Sequence, residues 1–273
     1  MKLLQLTEPV TINGPNLLGR KSAITFCPTS CQGWLWENNG NSRSIQITPE
    51  LVSGKTRRIS LNQNGSRLEI FEHIGPMVWT GLTRLIVKAN GFTPYFGRVS
   101  ELWDAIKPHC VATPLEVKWR TTDRVVKLED EQKDRFVEFR PFLAGTPTLR
   151  VTVSIDYAGL GKAEKDYTIS LSDLEAGFSA HTLGWPKNLY WLSRLAPPLV
   201  WKHHDHINWP QDFNRETILT KVLDHRFIDL LGTLSLLCGE HLIAGEVISH
   251  CAGHQLDVKL VKQLAGNLHE IRL

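Results

Sequence analysis

The chain has 273 residues, 42% apolar and 22% charged, with a formal charge of +3. Such a composition belongs to a globular protein with a real core, one large or two medium domains. The small, dispersed positive charge argues against a nucleic-acid polymer as partner, because no basic run alternates with aromatics.

No stretch approaches the ~18 apolar residues of a membrane span, and residues 1–8 are too short in apolar length for a signal peptide. The five cysteines (Cys27, Cys31, Cys110, Cys238, Cys251) form no CxxC pair, which suits a reducing compartment. The expectation is a soluble, cytoplasmic protein.

In chain order, Gly14-Pro15-Asn16-Leu17-Leu18-Gly19 reads as an ordinary turn, since a lone Gly-rich loop is weak evidence for phosphate binding. A strand follows over 22–27, stopped by Pro28. Residues 34–49 are polar and turn-rich, with two Trp. Strands at 57–61 and 67–71 flank Asn62-Gln63-Asn64-Gly65, a hairpin by its turn chemistry. A strand then runs into a short helix starting at Glu72 or His73, which leaves Pro76 tolerable near the helix start. Glu72-His73 has two readings. His73 binds a metal while Glu72 faces the metal's water, or both are solvated at a helix start. A strand at 85–89, a turn around Gly91 and Gly97, and a helix at 100–106 complete a first α/β unit, residues 1–112. Residues 108–114 read as a linker.

The second unit, 113–273, opens with strands at 115–119, 125–129, 136–141 and 149–155. Several alternate apolar and charged residues, as in a sheet with one solvated face. A strand at 167–171 leads to a helix near Asp173 capped by Ser172. Residues 185–209 carry Trp185, Trp191, Trp201 and Trp209, which either line a groove or simply pack. Lys202-His203-His204-Asp205-His206 lacks regular ligand spacing and reads as a solvated loop.

The segment 216–237 is a strongly apolar helix, ended by Gly239. Leu219, Val222, Leu223, Phe227, Leu230, Leu231 and Leu234 cover much of its circumference, so it is buried. His225 and Asp229 stack on one face. A buried histidine and carboxylate must be paired or hold a metal; a mutual hydrogen bond and a metal site both satisfy them. A strand at 241–248 and a loop through Ser249-His250-Cys251-Ala252-Gly253-His254 lead to a last helix, 255–268. His254, in the loop just ahead of that helix, reads as a catalytic acid or as a cap.

Three stretches carry a resemblance: Phe71-Glu72-His73-Ile74, His225-Arg226-Phe227-Ile228-Asp229-Leu230-Leu231-Gly232, and Gly253-His254-Gln255-Leu256. In order and spacing they resemble the UDP-3-O-acyl-N-acetylglucosamine deacetylases, zinc amidases of lipid A synthesis. The resemblance covers most of the chain and includes Ala180-His181-Thr182-Leu183-Gly184, which is similar to the family's Arg-Thr-Phe-Gly stretch. It implies an α+β fold of two similar α/β-sandwich domains, each a sheet layered against helices, with a metal site between them.

The resemblance also implies roles. His73, His225 and Asp229 would be the zinc ligands, with one position open for water; iron(II) suits the same donors. Glu72 would be the general base. His254, as imidazolium, would stabilise the oxyanion and protonate the leaving amine, with a hydrogen bond added by Thr182. Arg226, Leu183 and Gly184 would meet the substrate, Arg226 at its phosphate. The implied reaction is hydrolysis of the N-acetyl amide of an N-acetylglucosamine-type sugar, UDP-linked and 3-O-acylated in the family. The implied partner is that small molecule, met by a monomer, with acylated substrate reached at a membrane surface. The competing reading is a non-catalytic relative that binds sugars or nucleotide sugars.

Several positions depart from the family. Thr233 stands where a carboxylate orients the equivalent of His254. Arg226 replaces a Lys, Leu17 and Leu18 stand where a His is usual, Phe96-Gly97-Arg98 replaces Asp-Gly-Ser, and Leu183 replaces Phe. Residues 185–212 do not match the family's acyl-passage insert. Metal ligands and base are kept, while the substrate-recognising parts have drifted.

Overall fold

A computed structural model describes residues 1–16, 19–38, 43–53, 58–89, 93–94, 96, 98–157, 161–180 and 215–271. The first half runs through β1 (Lys2–Leu6), β2 (Val10–Pro15), β3 (Lys21–Cys27), β4 (Trp34–Glu37), β5 (Ile45–Gln46), β6 (Val52–Ser53), β7 (Ser60–Gln63) and β8 (Ser66–Leu68). It continues with α1 (Phe71–Ile74), a 3-10 helix (Gly75–Thr80), β9 (Leu85–Lys88), α2 (Val99–Ile106) and β10 (Cys110–Glu116). The second half has β11 (Lys118–Thr121), β12 (Val126–Asp130), β13 (Arg135–Pro141), β14 (Leu149–Tyr157), β15 (Gly161–Thr168) and α3 (Leu171–Phe178). It closes with α4 (Arg215–Leu234), β16 (His241–Ile243), β17 (Gly245–His250), α5 (His254–Ala265) and β18 (His269–Glu270).

Two five-stranded sheets share one topology. Their orders are β2-β3-β9-β4-β5 and β12-β13-β17-β14-β15. In each, two hairpins form first and the last strand inserts between them, antiparallel to β3 or β13 and parallel to β4 or β14. A parallel pair needs a crossover connection, usually helical. The crossovers here contain α1 and α4, so these helices hold equivalent places in the two units. This is the repeated α+β architecture that the resemblance implies. Inward residues such as Val137, Phe139, Val151, Val153 and Val247 are buried on the second sheet, while the intervening strand positions are more open, as one solvated face requires.

The equivalent helices touch. A Cβ on Gly232 of α4 would lie 2.2 Å from the Glu72 carbonyl oxygen and 2.6 Å from Glu72 Cα. A Cβ on Gly75 would lie 2.1 Å from Ser235 Oγ and 2.9 Å from the Gly232 carbonyl oxygen. Backbone therefore meets backbone, and only glycine fits. Trp79 Nε1 donates to the Leu231 carbonyl at 3.0 Å, and Ser235 Oγ to that of Gly232 at 2.6 Å. Both satisfy carbonyls that the end of α4 leaves open.

Several elements differ from expectation for physical reasons. The segment 34–49, expected to be irregular, holds β4, an interior strand. Trp34 and Trp36 are buried there and donate from Nε1 to the carbonyls of Leu82 at 2.7 Å and Ala89 at 2.9 Å. The expected linker 108–114 is a 3-10 turn and most of β10, which pairs with β1. Gly14 and Pro15 belong to β2. The hairpin turn is Asn64-Gly65, both at positive φ, the type I′ geometry that suits a two-residue loop. Ser170, not Ser172, caps α3 and accepts from the Asp173 N–H at 3.2 Å. The expected strand 241–248 is two strands broken around Ala244, where Gly245 has φ +152 and a Cβ would lie 2.5 Å from the Arg140 carbonyl oxygen. His254 is the first residue of α5 rather than a loop residue. The described cysteines are free thiols. No helix among the described residues is long and apolar enough to cross a membrane.

The glycine contact yields a contrast measurable by urea unfolding. Gly232→Ala forces two backbones apart and costs roughly 3 kcal/mol, the upper end for overpacking. Gly177→Ala on α3 meets side-chain atoms rather than backbone, Ile228 Cδ1 at 2.6 Å, and costs less. Equal losses would contradict a backbone-to-backbone contact at Gly232.

Candidate metal centre

Four buried residues, Phe71, Glu72, His73 and Ile74, make up α1. The residue before it, Ile70, sits in the left-handed region at φ 59, ψ 39, which a β-branched side chain rarely adopts. That turn sets the direction of the helix. The Phe71 N–H reaches the Ile59 carbonyl at 3.0 Å and the His73 N–H that of Ile70 at 3.1 Å. Ile59 returns a bond, its N–H donating to Glu72 Oε2 at 2.8 Å. One carboxylate oxygen of Glu72 is thus tied down by backbone.

On α4 the spacing of four brings His225 Nε2 within 3.5 Å of Asp229 Oδ2. Contact between α1 and α4 brings His73 Nε2 within 3.8 Å of Asp229 Oδ1. His254 Nε2, from α5, lies 3.7 Å from Asp229 Oδ2. The His73 and His225 rings meet edge to face, centroids 5.5 Å apart. His73 Nδ1 lies 3.3 Å from the Phe96 carbonyl; a proton on Nδ1 would donate there and leave the Nε2 lone pair directed at the site.

These donors fit a metal ion. One donor atom each from His73, His225 and Asp229 falls within a span of 4.8 Å. Two ligands bound at about 2.0–2.1 Å by one tetrahedral zinc lie roughly 3.4 Å from each other, close to the 3.5 and 3.8 Å separations here. Those same separations are at or beyond the limit of a hydrogen bond. Asp229 Oδ1 is buried without a hydrogen-bond partner among the described residues, a costly state that a cation would relieve.

Burial sets the charges. It drives the His73 imidazole down to about 4, helped by the facing His225, so His73 is neutral near pH 7, the form that binds metals. For Asp229, burial pushes upward, and the opposing His225, His254 and His73 hold the carboxyl below its ordinary value. Burial, then the Asp229 charge, push Glu72 up to about 8.

The structure brings together Glu72, His73, His225, Asp229 and His254. Thr182, Leu183 and Gly184 lie outside the described residues, as do Leu17, Leu18, Gly97, the Trp cluster and the 202–206 histidines. Thr233 is fully buried, and its hydroxyl donates to the Asp229 carbonyl at 3.0 Å. It therefore does not orient His254, whose buried Nδ1 has no hydrogen-bond partner among the described residues. Arg226 is buried, with Nη2 2.5 Å from Asp257 Oδ1 and 3.1 Å from Ser249 Oγ.

Sequence reasoning missed three supporting features. Asp257 and Ser249 partner Arg226, and only the pairing of charges on two apolar helices could have suggested it. Lys165 Nζ and Tyr167 OH both donate to Asp224 Oδ1, at 2.7 and 2.8 Å, while Tyr167 stacks on Phe227 at 4.1 Å. A cavity of about 350 Å³, lined by Lys133, Arg135, Lys162, Arg226, His250 and Cys251 among others, reaches Gly253 beside His254. No motif marks its scattered cations.

Glu72 gives a pH test. Its folded value of about 8 exceeds the ordinary 4.5, so between those values the folded state holds a proton that the unfolded state has released. The stability this contributes is fully present below pH 4.5 and is lost as pH rises through 8. In metal-free protein the Tm of Glu72→Gln should therefore gain on wild type from about pH 5 to about pH 8. A constant difference over that range would show an ordinary carboxylate.

The model of the UDP-3-O-acyl N-acetylglycosamine deacetylase family matches residues 5–266. No curated protein matches the chain. With a family model spanning nearly its whole length, and two like units meeting at clustered His and Asp donors, the chain belongs to the UDP-3-O-acyl N-acetylglycosamine deacetylase family.

Proposed function

We propose that this chain is a metal-dependent N-deacetylase. It hydrolyses the N-acetyl amide of an N-acetylglucosamine-type sugar, UDP-linked and 3-O-acylated as the family name describes, in the cytoplasm and as a monomer that meets acylated substrate at a membrane surface. The observation that carries the reading is the Asp229 carboxylate, faced by three imidazole nitrogens at 3.5–3.8 Å from three separate helices.

His73, His225 and Asp229 would hold Zn2+, and iron(II) suits the same donors. When bound, the ion polarises the amide carbonyl and acidifies water. The chain's own groups do the proton work. Glu72, anchored at Oε2 by the Ile59 N–H, would take a proton from water. Burial brings its affinity for that proton near neutrality, where a general base is most effective. His254 Nε2, on the other side of Asp229, delivers a proton to the departing amine, so acetate and a free amino sugar result. On the family resemblance, Thr182 would add a hydrogen bond to the oxyanion, and Leu183 and Gly184 would bind substrate. The cavity wall carries Lys133, Arg135 and Lys162 beside Asp134 and Asp156, and a nucleotide's phosphates would meet its cations.

Metal content and acetate release test the reading together. Purified wild type should hold about one zinc per chain, and His73→Ala should lose it. Glu72→Ala should keep the metal and lose turnover by roughly 10²–10⁴-fold, the range for a general base. Failure of wild type to retain zinc would overturn the metal site. Retained zinc with no acetate from N-acetyl sugar nucleotides would favour the sugar-binding relative instead.

A further inference from the structure

The segment that leads into α5 and carries His254 at its first position is held at both ends by one nitrogen. Arg226 Nη2 donates to Ser249 Oγ in β17 at 3.1 Å and to Asp257 Oδ1 in α5 at 2.5 Å. Between these two contacts lie residues 250–256. Within that stretch Cys251 adopts φ +47, and its N–H donates to the Ser154 carbonyl at 2.8 Å. Further on, the Leu256 and Asp257 N–H groups close on the Gly253 carbonyl at 2.9 and 3.2 Å. His254 sits inside this turn, its Nδ1 buried without a partner among the described residues and Thr233 bonded elsewhere. Nothing described grips the imidazole at Nδ1, so its place is set by the backbone that bears it. Arg226 is the neighbour of His225 and lies on the helix that also carries Asp229. It therefore ties the His254 turn to the helix of two metal donors.

The same pairing holds Arg226 Nη2 in the interior. Asp257 is fully buried, and its second oxygen has no hydrogen-bond partner among the described residues. Drawing Arg226 away would leave that carboxylate unpaired in the interior, which is strongly unfavourable.

From this geometry we infer that the Arg226–Asp257 pair is a positioning device for His254. The kinetic part rests on the deacetylase reading; the geometric part does not.

Two readouts in zinc-loaded protein test it, on Asp257→Asn, Arg226→Lys and the double variant Arg226→Met/Asp257→Leu. The double variant removes both charges together and so avoids a stranded ion. In acetate release, Asp257→Asn and the double variant should lower kcat by roughly 10–100-fold, as loss of a supporting partner does, with KM within about twofold. Arg226→Lys, which keeps the charge beside Asp257, should recover part of the loss. In the ¹⁵N–¹H spectrum of the imidazoles, the His254 signals should shift or broaden in the double variant while those of His73 and His225 hold. A raised KM at unchanged kcat would overturn the inference in favour of a substrate contact. Unmoved His254 signals would overturn it whether or not acetate is released. Shifted His254 signals in a protein that releases no acetate would support positioning and defeat only the deacetylase reading.

Discussion

Everything chemical in this molecule depends on how closely α1 can approach α4. His73 comes from one unit and His225 and Asp229 from the other, so the donors share a site only if the two helices touch. Gly75 and Gly232 let the backbones meet. The topology supplies the rest, because α1 and α4 are the equivalent crossover helices of two sheets of like order. A repeated fold that packs equivalent helices together brings side chains of both units into one buried place. The repeat is not symmetric in detail. α1 is a single turn launched by Ile70 in a left-handed conformation, whereas α4 is a long helix buried over most of its course. Strain of this kind, of order 1–3 kcal/mol, persists where surrounding structure over-determines it, and here the Ile59 backbone bonds provide that restraint.

Burial then turns neighbours into a tuned group. Glu72, His73 and Asp229 are each nearly inaccessible, and burial is the leading influence on all three. It favours neutral His73 and protonated Glu72, while the facing imidazoles keep Asp229 ionised. A neutral imidazole and an anionic carboxylate make a donor set for a divalent cation, and a carboxyl with its proton affinity near neutrality makes a base. Neither follows from residue identity alone. The same Glu on an exposed helix start would be an ordinary acid.

The sequence made some of this legible and hid the rest for identifiable reasons. The burial of α4 could be read because its apolar residues surround the helix. Glu72-His73 and the His225/Asp229 pair could be read as chemistry once three short motifs were seen in order. The strand β4 was hidden because four residues of Trp-Leu-Trp-Glu, set among polar neighbours, offer too short an alternation to weigh. β10 was hidden because its partner β1 is distant in sequence and its residues stay largely exposed. The Ser170 cap was two residues from expectation, where local signals compete, and the break before Gly245 interrupts a segment that reads as one strand. The Arg226–Asp257 pair was invisible because the partners are 31 residues apart, and an acid in the first turn of a helix has a sufficient local explanation in the helix dipole.

Two departures from the family pattern acquire a common physical sense when placed in space. At position 233 a carboxylate would occupy a fully buried site on α4 one turn beyond Asp229. Thr233 instead turns its hydroxyl back to the Asp229 carbonyl, so no second anion is buried beside the donor set. At position 226 a cation remains, but its charge is met inside the protein by Asp257. The buried carboxylate Asp257 is on α5, the helix that carries His254. Orientation by a direct bond to Nδ1 is replaced by orientation through backbone. Such an arrangement constrains where His254 sits through the turn that bears it.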